Sequence, residues 1–211
     1  MLTVSLAFPA RPARRAMTKG RLEAFSDGVL AVIITIMVLE LKVPRGDDLR
    51  ALDGMLPGLL GYVLSFIYIG IYWNNHHHLF HATRRIAGSV MWANLHLLFW
   101  LSLVPVLTGW VGAYPSAAWP TALYGTVLLM AALAWLVLES RIIAVNGKDS
   151  ELARAVEHGA KEAVSPVLYA AAIGVAFVRP WIADALYAIV ALLWIVPDRR
   201  IESKVTGEPR D

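Results

Sequence analysis

The side chains best able to do chemistry fall in two places. Arg21, Glu23, Ser26, Asp27 and Gly28 open a segment that is otherwise apolar through Leu39, while Asn74, Asn75 and the run His76, His77, His78 close another. A guanidinium, a carboxylate and imidazoles at one depth can neutralise one another, which is the usual condition for keeping charge near hydrocarbon. An imidazole beside an acid also makes a proton sensor, because it titrates near neutrality. His77 and His81 are four residues apart and share a helix face, so two nitrogens could meet a metal ion. An isolated pair without a matching carboxylate helix makes a poor catalytic centre, and His96 and His158 stand alone. No catalytic residue, metal or cofactor is assigned, and the chain reads as a non-enzyme.

Composition dictates what must position these groups. The 211 residues are 58% hydrophobic and 17% charged, too little polar surface to cover a soluble globule, so the lipid bilayer is the expected partner. A net charge of +3 spread over scattered carriers leaves no nucleic-acid footprint, and the absence of cysteine excludes disulfides and thiolate metal sites. Six apolar segments, at about 22–42, 55–78, 87–110, 118–138, 164–178 and 181–197, each approach the length of a spanning helix. The last two are short and separated only by Arg179 and Pro180. Residues 1–20 read as a basic cytoplasmic arm, 21–197 as the six-helix domain and 198–211 as a cytoplasmic tail. The apolar start of the arm precedes Arg11, Arg14 and Arg15, the wrong order for an export signal, and Met17 is an alternative start. The link 139–163 is expected to carry a surface helix near 149–158 and holds nothing resembling a phosphate loop or a catalytic triad.

With the N-terminus inside, Asp27 lies near the cytoplasmic face and span two brings His76 and His77 to the same depth, with Arg21 one to two turns below. The expectation is a polar network of Arg21, Ser26, Asp27, His76 and His77 joining spans one and two, with His77 preferred as the partner of Asp27. A structural lock is the simpler reading of this network, and proton sensing is the functional one. In span three, Asn94 suits an interhelical hydrogen bond, and Pro105 should kink the helix with Ser102 near to take up a freed backbone group. Along span one, Phe25, Gly28, Val32, Thr35 and Leu39 recur at 3-4-3-4 spacing with Ile36 beside Thr35, forming one largely apolar stripe. Periodicity alone does not separate a packing seam from a pore lining.

Arg21, three intervening residues and Phe25-Ser26-Asp27-Gly28 resemble the signature of the transmembrane protein 175 family of endosomal, lysosomal and bacterial potassium channels. Trp73 followed by the histidine run, Asn94-Leu95, and Leu103-Val104-Pro105-Val106-Leu107-Thr108 are similar to further motifs of that family, with Val106 where a Phe is usual. The resemblance implies an all-α integral membrane protein with six transmembrane helices per chain. One motif copy per chain implies a homotetramer with the first helices around a central pore, and the compact loops suggest a bacterial inner membrane. The residues corresponding to the family's pore lining are Val32, Thr35, Ile36 and Leu39, with Val32 smaller than the Ile or Leu often found at the narrowest ring. No Thr-Val-Gly-Tyr-Gly-like segment offers a carbonyl filter, so selectivity would come from a dehydrating apolar constriction, with a modest preference for potassium ions. A proton-conducting channel or a proton-coupled transporter is the alternative.

Orientation follows from the basic residues. The arm through Arg21, the link at Arg84 and Arg85, the link 139–163 and the tail hold fifteen Lys and Arg, against four (Lys42, Arg45, Arg50 and Arg179) in the alternate links. Both termini are therefore predicted to be cytoplasmic, which requires an even number of spans. In the cysteine-free chain, Asp48→Cys should react with an impermeant thiol reagent on intact cells and Ser150→Cys should not. The reverse labelling pattern overturns the orientation.

Overall fold

The computed structural model of the protein describes residues 18–44, 46–147 and 160–195, and these are all helix and short connections. The helices are α1 (Lys19–Leu39), α2 (Leu56–His81), α3 (Gly88–Ser102), α4 (Val104–Ala113), α5 (Ala118–Asn146), α6 (Ala160–Ala176) and α7 (Pro180–Ile195), with one 3-10 turn at Leu49–Leu52. Four stretches, Lys19–Leu39, Leu56–His81, Gly88–Ala113 and Ala118–Asn146, are long and apolar enough to cross a bilayer, and Pro180–Ile195 is a shorter apolar helix. Helices suit this solvent because each satisfies its own backbone polar groups.

Most span ends fall within four residues of the sequence reading, and two features differ more. The fourth span was expected to end at 138, yet α5 runs on to Asn146 because Glu139 and Ile142 are buried against the bundle. A first charge ends a hydropathy window, but it does not end a helix whose inward face stays covered. The third span is interrupted at Leu103, where α3 stops and α4 starts with Pro105 in its first turn. Ser102 Oγ donates to the Phe99 carbonyl at 2.7 Å, one turn back, and so does not cap the Leu101 carbonyl that Pro105 leaves without its usual partner. Pro166, by contrast, sits inside a continuous α6. The surface helix expected near 149–158 lies outside the described residues, as do the arm before residue 18 and the tail after residue 195.

Buried polar side chains and small residues hold the bundle. Ser65 Oγ on α2 lies 2.6 Å from Thr108 Oγ1 on α4 and 2.9 Å from the Tyr124 hydroxyl on α5. Tyr68 donates to the Tyr187 carbonyl at 2.6 Å, and the Tyr187 hydroxyl donates to the Thr121 carbonyl at 3.2 Å, so α2, α7 and α5 are pinned to one another. Ala131 and Ala134 of α5, Ala172 and Ala176 of α6 and Ala183 of α7 are fully buried. Lipid tails are as apolar as leucine, so close backbone approach and hydrogen bonds replace the hydrophobic drive here. α1 packs mainly on α2, α3 and α4, while α5, α6 and α7 pack together farther from it.

The tightest backbone approach is between α2 and α4, where a Cβ added at Gly112 would sit 2.9 Å from the Gly58 Cα. Backbone cannot rotate away, so Gly112→Ala is expected to lower thermal stability in detergent by about 1–3 kcal/mol, the usual cost of overpacking. Gly70→Ala, with open space around the new methyl group, should leave the unfolding temperature near wild type. Equal melting of the two variants contradicts the close crossing.

Candidate functional site

Three helices meet around the first turns of α1. Lys19 Nζ donates to the His81 carbonyl at 3.0 Å, tying the start of α1 to the last turn of α2, where a cation also complements the helix dipole. Ser26 Oγ donates to the Leu22 carbonyl at 2.9 Å and accepts from Asn94 Nδ2 at 2.9 Å. Asn94 Oδ1 lies 2.8 Å from His76 Nε2. A carboxamide oxygen only accepts, so Nε2 carries the proton and His76 is the donor. The His76 ring stacks on Phe80 with centroids 4.4 Å apart. Ser26, His76 and Asn94 are essentially inaccessible, so this chain of bonds fastens α1, α2 and α3 in a place where water cannot compete.

The charged groups are arranged differently from the sequence expectation. Asp27 is exposed and accepts from Trp73 Nε1 at 3.1 Å, and among the described residues no imidazole is bonded to it. Helical geometry accounts for this. Consecutive residues diverge by about 100°, so Ser26 and Asp27 cannot address the same interior point. Trp73 precedes His76 by nearly one turn on α2 and therefore meets Asp27 while His76 meets the interior. His77 and His78 are exposed, and His77 stacks with His81 at 6.2 Å. Arg21 is exposed and pairs with neither Asp27 nor Glu23 among the described residues. The structure thus brings Ser26 and His76 together through Asn94, places Asp27 on Trp73, and leaves Arg21 and His77 outside the buried chain. In the sequence Trp73 stands out only as part of a motif, and no spacing rule marks it as the aspartate's donor.

α1 has two distinct faces. Leu22, Ser26, Leu30, Ile33 and Met37 are buried against the rest of the chain. Phe25, Gly28, Val32, Thr35, Ile36 and Leu39 are all exposed, Val32 at 54% and Leu39 at 79%. The Thr35 hydroxyl donates to the Val32 carbonyl at 2.9 Å, so its proton is occupied while its lone pairs remain open on that face. Two further polar contacts escaped sequence reasoning. His96 Nε2 accepts from Trp100 Nε1 at 2.9 Å on an exposed part of α3. Asn146, at the end of α5, accepts from the Arg84 and Arg85 amides at 3.0 and 2.9 Å and donates to the Arg85 carbonyl at 3.1 Å, clamping the link between α2 and α3.

A bundle of apolar helices, locked at one end by a buried polar chain and leaving one helix face bare, defines an integral membrane protein of the helical-bundle class. The family described as endosomal/lysosomal potassium channel TMEM175 matches residues 21–105, the stretch that holds this site. A protein of Chryseobacterium sp. (strain P1-3), named a potassium channel, is 54% identical over 189 residues, covering 90% of this chain and 98% of that one. The structure of a lysosomal potassium-selective channel TMEM175 homolog from Chamaesiphon minutus superposes with a TM-score of 0.73 at 28% identity, covering 84% of this chain and 96% of its own. The Homo sapiens endosomal/lysosomal proton channel TMEM175 is 32% identical over 102 residues, which is 43% of this chain and 20% of that protein. The chain belongs to the TMEM175 family.

Asn94→Leu keeps the volume near Asn94 while removing both bonds, and should destabilise the fold by about 1–3 kcal/mol for each of Ser26 and His76 left without a partner. Asp27→Asn retains a carbonyl for Trp73 and should cost less than about 1 kcal/mol, since the pair is exposed. Thermal unfolding of the purified variants separates the two. An Asn94→Leu protein that melts like wild type removes the structural role assigned to the buried chain.

Proposed function

We propose that this chain forms a potassium channel in which four copies surround a central axis lined by α1. Each copy contributes six spans, the interrupted α3 and α4 counting as one and α6 and α7 as two. Residues 21–197 make the channel, and the arm and tail lie on the cytoplasmic side. Successive rings of Val32, of Thr35 with Ile36, and of Leu39 make an apolar constriction. One observation carries this reading: the stripe bearing these residues is left uncovered among the described residues, while the opposite face of the same helix is fully packed. The names borne by the Chryseobacterium and Chamaesiphon relatives support potassium as the ion. A ring of side chains without carbonyl or carboxylate ligands selects by the cost of shedding water, which is lower for potassium than for sodium. The expected preference is therefore modest. Proton passage along the same axis is a second reading, favoured by the name of the human relative and by the exposed carboxylate of Asp27 near the start of the stripe.

Polar groups placed in the constriction should ease dehydration for all monovalent cations. Val32→Asn or Leu39→Asn should raise sodium flux relative to potassium in liposomes, and Val32→Trp should block both. Val38→Asn, exposed but about a third of a turn off the stripe, should leave the ratio unchanged in protein that assembles. Imposing a proton gradient alone in the same vesicles tests the second reading. A permeability ratio unmoved by polar substitution at both Val32 and Leu39 means that α1 is not the filter.

A further inference from the structure

One imidazole lies outside the buried polar chain yet well inside a span. His96 is exposed in the apolar stretch Gly88–Ala113, about 12 Å along the helix from its start. Trp92, Leu95 and Phe99 share its face and are exposed as well. Lipid suits those three residues, but it does not suit the imidazole. Trp100 Nε1 donates to His96 Nε2 at 2.9 Å. An indole nitrogen only donates, so Nε2 holds a lone pair and the neutral ring carries its proton on Nδ1. That Nδ1–H meets no acceptor among the described residues. A donor left bare in hydrocarbon is costly, so this face needs a cover that brings an acceptor.

The chain carries a matching acceptor at the same height. Asn94 bonds Ser26 near the start of α1, and the Glu40 side chain lies against Gly109 at its other end, so α1 and the α3–α4 span run parallel with a nearly constant offset. Asp27 follows Ser26 by one residue and His96 follows Asn94 by two, which leaves them within about 2 Å of each other in height. Asp27 is exposed and spends Oδ1 on Trp73, while its Oδ2 makes no hydrogen bond among the described residues. Within one chain the two groups do not meet. His96 lies about 200° around α3 from Asn94, which faces α1, and so looks away from it. α1 packs on both α2 and α3, and these two are not closely packed on each other, so they flank α1 from different sides. Asp27 belongs to the α2 flank with Trp73, and His96 to the outer side of the α3 flank. Copies repeated around an axis along α1 bring the α3 flank of one chain to the α2 flank of the next.

We propose that a second copy of this chain covers the exposed face of α3, with His96 Nδ1–H of one copy donating to Asp27 Oδ2 of the adjacent copy. This rests on the reading of several copies around α1 and adds which flanks meet. The carboxylate is then shared, held by Trp73 from its own chain and by His96 from the next. The same contact takes Trp92 and Phe99 out of lipid. A lipid tail supplies no acceptor at this depth, and the carboxylate supplies one whose charge strengthens the bond.

Cross-linking between differently tagged chains is the test. The chain has no cysteine, so Asp27→Cys with one tag and His96→Cys with another are co-expressed and treated in membranes with a short, permeant bifunctional thiol reagent. A disulfide needs closer Cβ atoms than a His–Asp bond leaves, hence the reagent. A product carrying both tags is expected, and none when Val167→Cys, exposed on α6, replaces His96→Cys. A second readout serves if either cysteine variant fails to assemble. Followed by native mass spectrometry on dilution in detergent, His96→Phe should weaken association about tenfold or more, the loss of one charge-assisted hydrogen bond. Asp27→Ala should weaken it in wild type but hardly at all in His96→Phe, because both changes remove one contact. Multi-copy assemblies without the two-tag product, or with equal losses from Asp27→Ala in the two backgrounds, overturn this pairing and leave the pore reading standing. Single chains under native conditions overturn both.

Discussion

The carboxamide of Asn94 is the constraint around which the helix ends are organised. Within hydrocarbon a hydroxyl, an amide and an imidazole each need a partner supplied by the protein, and Asn94 answers two of them at once by donating to Ser26 and accepting from His76. Because those partners belong to α1 and α2, satisfying one side chain of α3 sets the mutual position of three helices. Lys19 on the His81 carbonyl and Asn146 on the Arg84 and Arg85 amides reinforce the same end of the bundle from outside the buried region. The far end relies on close packing instead, with Gly58 against Gly112 and Ser65 bonded to both Thr108 and Tyr124.

This division explains how α1 can be fixed and bare at once. Its inward residues, Leu22, Ser26, Leu30, Ile33 and Met37, are tied to the bundle by packing and by the Asn94 chain. Its outward stripe needs no contribution from its own protomer. A helix held from one side keeps its other side in register, so Val32, Thr35, Ile36 and Leu39 are presented in a defined order without being used in folding. Asp27 belongs to that outward side, and its bond to Trp73 orients a carboxylate at the start of the stripe without drawing it inside.

Much of this was legible from residue spacing. The 3-4 recurrence of Phe25, Gly28, Val32, Thr35 and Leu39 picked out a single face, and the polar types at Ser26, His76 and Asn94 marked groups that needed partners. The pairing itself was not legible. Three consecutive histidines point in three directions, and only the rotation of α2 against α1 decides that His76 is buried while His77 and His78 are exposed. The role of Trp73 was hidden for a related reason: a tryptophan near a span end has a sufficient explanation as an interfacial anchor, so its N–H gave no separate signal. The extension of α5 past Glu139 and the stop at Leu103 also depend on tertiary cover. Burial carries the helix through an acidic residue in the first case, and in the second α3 ends at Ser102, three residues before the proline.

The separation of faces on α1 bears on how such a protein can change. If four copies share an axis, one substitution in the stripe alters four positions in a single ring, so permeation responds steeply to small changes in side-chain size or polarity. The same substitution leaves the inward contacts of each chain intact. Substitutions at Leu30, Ile33 or Met37 act in the opposite sense, disturbing a fully packed face and reaching the pore only through displacement of the helix. On the proposed arrangement, ion preference and fold stability would be carried by different residues of one helix. Ser26 and Asp27 mark the boundary between them, adjacent in sequence yet committed to opposite sides.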